Sequence, residues 1–100
     1  MRVISLKPLR AFWDCHGDAE SPLREWYKTA RNATWSSLQD VWQTYPQADG
    51  VETKNSGTLT VFNIGGNKYR LVARIRYEHG LVNVRHVLTH KEYDEGTWKE

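Results

Sequence analysis

The apolar residues of this sequence change their period about half-way along, and no other feature limits the fold as much. In the first half they recur three and four residues apart, the spacing of a buried helix face. Leu9, Phe12, Trp13 and His16 form one such set after Pro8, a residue suited to a first helical turn, and Gly17 stops it. Leu23, Trp26, Tyr27 and Ala30 form a second, with Ser21 as its cap and Pro22 as its first helical residue. Leu38, Val41, Trp42 and Tyr45 form a third, which starts between Thr34 and Ser37 and ends at Pro46. After the turn signal Asn55-Ser56-Gly57 the pattern belongs to strands. Thr58 to Ile64 is one strand, Gly65-Gly66-Asn67 a hairpin turn, and Lys68 to Tyr77 a second strand. Glu78-His79-Gly80 turns the chain into a third, Leu81 to Thr89. The short β-branched segment Arg2 to Ser5 is expected to join the sheet, and His90 to Trp98 to form a short helix or a coil. The sequence thus predicts a single α+β domain over residues 1–100: an antiparallel β-meander with an N-terminal strand and about three helices packed on one face.

Composition sets bounds on what such a domain does. One hundred residues bury one modest core, and 39% hydrophobic with 26% charged residues is a globular rather than a disordered balance. Twelve aromatics, five of them Trp, suggest a core of few, large side chains. Four of the tryptophans (Trp13, Trp26, Trp35 and Trp42) fall in helical segments and are assigned to that core, while Trp98 either packs back on the domain or meets a partner. A net charge of +2 permits a nucleic-acid partner without demanding one. The lone Cys15 can make no internal disulfide and belongs to no metal-ligand spacing, which fits a reducing compartment. The N-terminus has no signal-peptide core, and no stretch approaches the roughly 18 apolar residues of a membrane span. The expectation is a cytoplasmic protein with no membrane contact.

The strand Lys68 to Tyr77 carries the most chemical information. Tyr69, Leu71, Ala73, Ile75 and Tyr77 point one way; Arg70, Val72, Arg74 and Arg76 point the other. A guanidinium in a packed core is costly unless paired. The arginine face is therefore expected to be open, either as an ordinary solvated side or as a surface for an anionic ligand. The next strand adds Arg85 and His86, and the segment after it adds His90, Lys91, Tyr93 and Asp94. Cationic and proton-transferring groups thus converge near one end of the sheet. RNA cleavage without a metal needs such a set: a base for the 2′-OH, cations for the charge building on the phosphate, and an acid for the 5′-oxygen. Each residue also has a plainer reading. His90 fits a surface histidine at a strand end, Tyr93 a core aromatic, and Lys91 with Glu92 a solvated charge pair. His16 lies on an apolar helix face, and His79 in a turn. Gly65-Gly66 precedes a strand rather than a helix, so it reads as a hairpin turn and not a phosphate loop. No histidine spacing suggests a zinc site, and neither metal nor cofactor is expected.

Two segments resemble the motifs of a known family. Phe62-Asn63-Ile64-Gly65-Gly66-Asn67-Lys68-Tyr69-Arg70-Leu71-Val72 looks like the central motif of HigB-type toxins, and Thr89-His90-Lys91-Glu92-Tyr93-Asp94 like their C-terminal motif. Pro22 to Tyr27 and Tyr45 to Asp49 match the same pattern upstream. The resemblance implies a RelE-like α+β fold within the RelE/ParE superfamily. It implies an endoribonuclease, an mRNA interferase acting on messages held in the ribosome, and so the toxin of a type II toxin–antitoxin system. Its implied partners are a HigA-type helix-turn-helix antitoxin, mRNA on the ribosome, and operator DNA only through the antitoxin. Carried over by position, His90 becomes the base or acid and Arg70 the group that meets transition-state charge. Tyr93 joins them in the catalytic set, with Lys68, Arg74, Arg76, Arg85 and Lys91 as RNA and phosphate binders. RelE itself has a basic residue around the place held here by Asn63. Two other functions stay open on sequence: a non-catalytic ParE-like gyrase inhibitor, and an RNA-binding module that does not cut.

Overall fold

The structure is a computed structural model and describes residues 1–99. Its strands are β1 (Arg2–Ile4), β2 (Asp49–Thr53), β3 (Gly57–Ile64), β4 (Tyr69–Arg76) and β5 (Leu81–Thr89). Its α-helices are α1 (Lys7–Cys15), α2 (Glu20–Asn32), α3 (Leu38–Thr44) and α4 (His90–Glu95). The strands form one sheet in the order β1-β5-β4-β3-β2. β2 to β5 run as an antiparallel meander, and β1 lies parallel to β5 with Val3 opposite Val82. The N-terminal segment therefore joins the sheet as expected and makes it mixed.

The expected helical side is built by α1, α2 and α3. Leu9, Trp13, Leu23, Trp26, Ala30 and Val41 are buried against Phe62, Ile64, Leu71, Ala73, Val82 and Val84 of the sheet. Phe62 is the hub: the rings of Trp26, Trp35 and Tyr45 lie 5.4, 6.1 and 5.3 Å from it. Two details of the helices differ from expectation. α2 begins at Glu20 with Ala19 at the cap position, so Ser21 lies inside the helix and caps nothing. Trp42 is 44% exposed and is not a core residue. Its indole N–H donates to the Ala48 carbonyl at 2.7 Å, which ties it to the chain after α3.

The alternation seen in the sequence holds along β4, but β5 carries a bulge. Val72 pairs with His86 and Ala73 with Val84, leaving Arg85 without a partner in the ladder. The extra residue shifts the parity of β5, so Val87 packs against the helical-side core from one side of it while Val82 and Val84 are buried from the other. At the β3–β4 turn Gly65 and Gly66 have φ of +62° and +71°. Both lie in the four-residue loop that joins Ile64 to Tyr69, and left-handed backbone is a conformation that side chains other than glycine resist.

One expectation about the sheet is corrected. The arginine face of β4 is not open throughout, because the C-terminal segment covers part of it. α4 and the one-turn helix Thr97–Lys99 fold back over the outer face. Trp98, 4% exposed, covers Leu59, Val61 and a fully buried Val72, with Leu88 and Tyr93 at the margin. An apolar strip of three strands attracts a large aromatic, and that gain outweighs leaving the face solvated. Among the described residues no helix is long and apolar enough to cross a membrane.

Candidate active site

The end of the sheet where β3 turns into β4 and β5 gives way to α4 gathers the strongest chemistry. Thr89 begins α4 with a reciprocal cap. Its hydroxyl accepts from the Glu92 amide at 3.2 Å, and the Glu92 carboxylate accepts from the Thr89 amide at 2.9 Å. Glu92 is thus a structural cap rather than half of a solvated pair with Lys91. The signal, Thr-x-x-Glu, was present in the sequence. With the cap fixed, His90 opens the helix. Asp94, one turn on, takes its Nδ1 at 3.0 Å. With Nδ1 beside a carboxylate, Nε2 is the ring nitrogen left for another partner. The spacing of four residues between His90 and Asp94 is the sequence signal for this pair.

Tyr93 lies on the inner side of α4. Its ring stacks on Trp98 at 5.1 Å, and the Trp98 indole N–H donates to the Tyr93 carbonyl at 2.9 Å. The Arg70 guanidinium sits 5.3 Å from the centre of the Tyr93 ring. Its Nη1 donates to the carbonyls of Asn67 at 3.0 Å and Tyr69 at 3.2 Å. No carboxylate pairs with Arg70 among the described residues. The fold therefore brings Arg70, Tyr93 and the His90–Asp94 pair to one end of the sheet, with a half-buried cation left uncompensated.

The other sequence-predicted groups stand elsewhere. Lys68 is ion-paired with Asp18, in the one-turn helix Gly17–Ala19 on the helical side, and Asp18 also accepts from the Tyr69 hydroxyl at 2.6 Å. The hydrogen bond from Lys68, then that from Tyr69, holds the Asp18 carboxyl below its usual value, and the same contact raises Lys68. Lys68 is thereby drawn away from Arg70. Arg74 and Arg76 share the outer face with Arg70 but lie four and six residues along β4. At ~3.3 Å per residue that is about 13 and 20 Å, with the apolar Trp98 patch over Val72 between. Arg85, at the bulge, donates to the Ser56 hydroxyl at 3.1 Å. Beside it, burial and then the Arg85 charge push the His86 imidazole below its ordinary value. Lys91 is exposed on α4. Among the described residues no three His, Cys, Asp or Glu side chains cluster as metal ligands.

A recess of about 780 Å³ lies between α2 and the β3–β4 turn, with Asp18, Glu25 and Lys68 in its wall. Two carboxylates against one already-paired lysine suit a phosphodiester poorly. The Arg70 end suits it better.

Residues 19–96 match the profile of the HigB toxin, the RelE-like toxic component of a toxin–antitoxin system. The chain belongs to the HigB toxin family. It is 25% identical to the mRNA interferase HigB of Escherichia coli O6:H1 over 97% of this chain and 92% of that protein. It is 53% identical to the mRNA interferase toxin HigB of Escherichia coli strain K12 and to the mRNA interferase HigB of Shigella flexneri over 34 residues, about a third of each chain. The mixed five-stranded sheet with four α-helices agrees with the RelE-like α+β fold that the family implies.

Proposed function

We propose that this HigB-family chain cleaves mRNA on the ribosome and so stops translation, using acid–base chemistry that needs no metal. The observation that carries the reading is Arg70, a cation unpaired with any carboxylate among the described residues, held under Tyr93 at the foot of the helix that His90 begins. In this reaction the 2′-oxygen of a ribose gives up its proton, bonds to the adjacent phosphorus, and expels the 5′-oxygen, which takes a proton. The products are a 2′,3′-cyclic phosphate and a 5′-hydroxyl. Arg70 meets the extra negative charge on the phosphate as the 2′-oxygen attacks. His90, oriented by Asp94, exchanges protons with the reacting oxygens through Nε2. Tyr93 holds the guanidinium in place and limits its freedom. Arg85 and Lys91 add positive potential along the RNA, while Arg74 and Arg76 bind its backbone farther off.

So small and open a site gains from having its substrate positioned by something else, and the ribosome supplies that. The names of the relatives, each an mRNA interferase, support the same substrate. The toxin's natural partner is an antitoxin of the HigA type, and both act in the cytoplasm.

Induction of the chain in a bacterial host, with total mRNA followed by primer extension, tests the reading. Wild type fragments messages within the first minutes, and Arg70→Ala and His90→Ala each lose cleavage by about 100-fold or more. Arrest of growth with intact messages, or fragmentation that survives both substitutions, contradicts it.

A further inference from the structure

Asn63 and Arg70 are neighbours across the outer face, and Gln47, in the turn before β2, reaches Asn63. Asn63 and Arg70 are directly opposed in β3 and β4. The Asn63 amide nitrogen donates to the Gln47 side-chain oxygen at 3.0 Å and to the Asn67 side-chain oxygen at 3.4 Å. Beside these amides is a cavity of about 280 Å³ lined by Tyr45, Pro46, Gln47, Ala48, Asn63 and Gly66. We propose that this cavity receives a nucleobase next to the scissile phosphate, and that Asn63 and Gln47 determine which base it accepts. The inference rests on the RNA-cleavage reading and deepens it.

Three properties point to a base rather than another ligand. Tyr45, Pro46 and Ala48 offer apolar surface to the faces of a flat heterocycle, while the carboxamides meet its edge. After their mutual hydrogen bonds the amides still hold an acceptor, the Asn63 Oδ1, next to donors on Gln47 Nε2 and Asn67 Nδ2. That pairing of donor with acceptor is what a base edge presents in return. Among the described residues no carboxylate lines the cavity to repel RNA. The spacing also fits. Neighbouring strands lie about 4.8 Å apart, so Asn63 stands roughly 5 Å from Arg70 across the ladder, and the cavity it lines lies within the span of one nucleotide from phosphate to base edge. A base with the wrong edge leaves a carboxamide unpaired, which disfavours it by about tenfold or more.

The test is to express the full chain as wild type, Asn63→Ala, Asn63→Asp, Gln47→Ala and Gln47→Glu. The 5′ ends of cleaved transcripts are sequenced, with circular dichroism to check folding. Wild type is expected to favour one base at a fixed offset from the cut. The alanine variants flatten that preference by about tenfold while still cutting. Gln47→Glu replaces the free Nε2 donor by an acceptor, and Asn63→Asp draws the amide N–H groups of Gln47 and Asn67 to itself and leaves their oxygens for the base; both change the favoured base, a result that loss of structure does not produce. If Asn63 variants fail to fold, the two Gln47 variants decide, because that side chain is exposed outside the strands. A wild-type preference retained in every folded variant, or a wild type with no preference, overturns the base site and leaves the nuclease reading intact. A wild type that cuts no RNA overturns both.

Discussion

Arg70 has five N–H donors, and among the described residues only Nη1 is engaged, on two backbone carbonyls. What remains is a planar fork able to grip two phosphate oxygens at once. Arg70→Lys keeps the charge but not the fork, so cleavage is expected to fall by at least about tenfold, measured as message decay after induction. A lysine that restores full activity would show that charge alone suffices. His86 makes a different prediction. Its imidazole is held below the ordinary value of 6.5 by burial and then by Arg85, so the folded chain binds that proton less readily than the unfolded chain. The stability this contributes is complete above pH 6.5 and is lost as pH falls through the lower folded-state value. Thermal melts from about pH 7.5 down to about pH 5 should therefore show a steeper fall for wild type than for His86→Gln. Parallel slopes would contradict that assignment.

At the scale of elements, α4 has only six residues and cannot stand alone. Its position depends on the Thr89–Glu92 cap at one end and on Trp98 beyond the other. Trp98→Ala removes the lid from Leu59, Val61 and Val72 and should cost about 3–5 kcal/mol in urea unfolding. Because Trp98 also supports the Tyr93 ring under which Arg70 rests, the same variant should lose cleavage under conditions where it is still folded. A stable, fully active Trp98→Ala chain would separate α4 from the site. Much of this was legible beforehand. The alternation of Tyr69, Leu71 and Ala73 against Arg70 and Val72 marked β4, and the aromatic spacing in α1 and α2 marked their buried faces. β2 was not legible, because Asp49-Gly50-Val51-Glu52-Thr53 holds one apolar residue and two poor strand formers, and forms an edge by pairing with β3 alone. The bulge at Arg85 left only a break in parity.

For the molecule as a whole, the sequence names cationic and proton-transferring groups but not which of them meet. Thr89 to Asp94 is local, so its His, Tyr and Asp were legible as a set. The pairing of Lys68 with Asp18 joins residues 50 apart, and the folding of Trp98 onto Val72 depends on where three strands lie. Such contacts are decided by packing, not by spacing. They divide the basic groups of the outer face into an Arg70 end and an Arg74/Arg76 end. The second should act as a binder of backbone only. Arg74→Ala and Arg76→Ala are each expected to weaken RNA binding evenly across sequences and to lower the slope of log affinity against log salt by about one. Sequence-selective loss would assign them a reading role instead.

The end groups of the cut message test the central claim most directly. Attack by a 2′-oxygen, helped by Arg70 and His90, leaves a 2′,3′-cyclic phosphate and a 5′-hydroxyl. The 5′ ends of fragments from wild-type cells should therefore be ligated only after a kinase adds phosphate, and such fragments should be absent with Arg70→Ala. Fragments that carry 5′-phosphate, or 5′-hydroxyl fragments that persist without Arg70, would contradict the account.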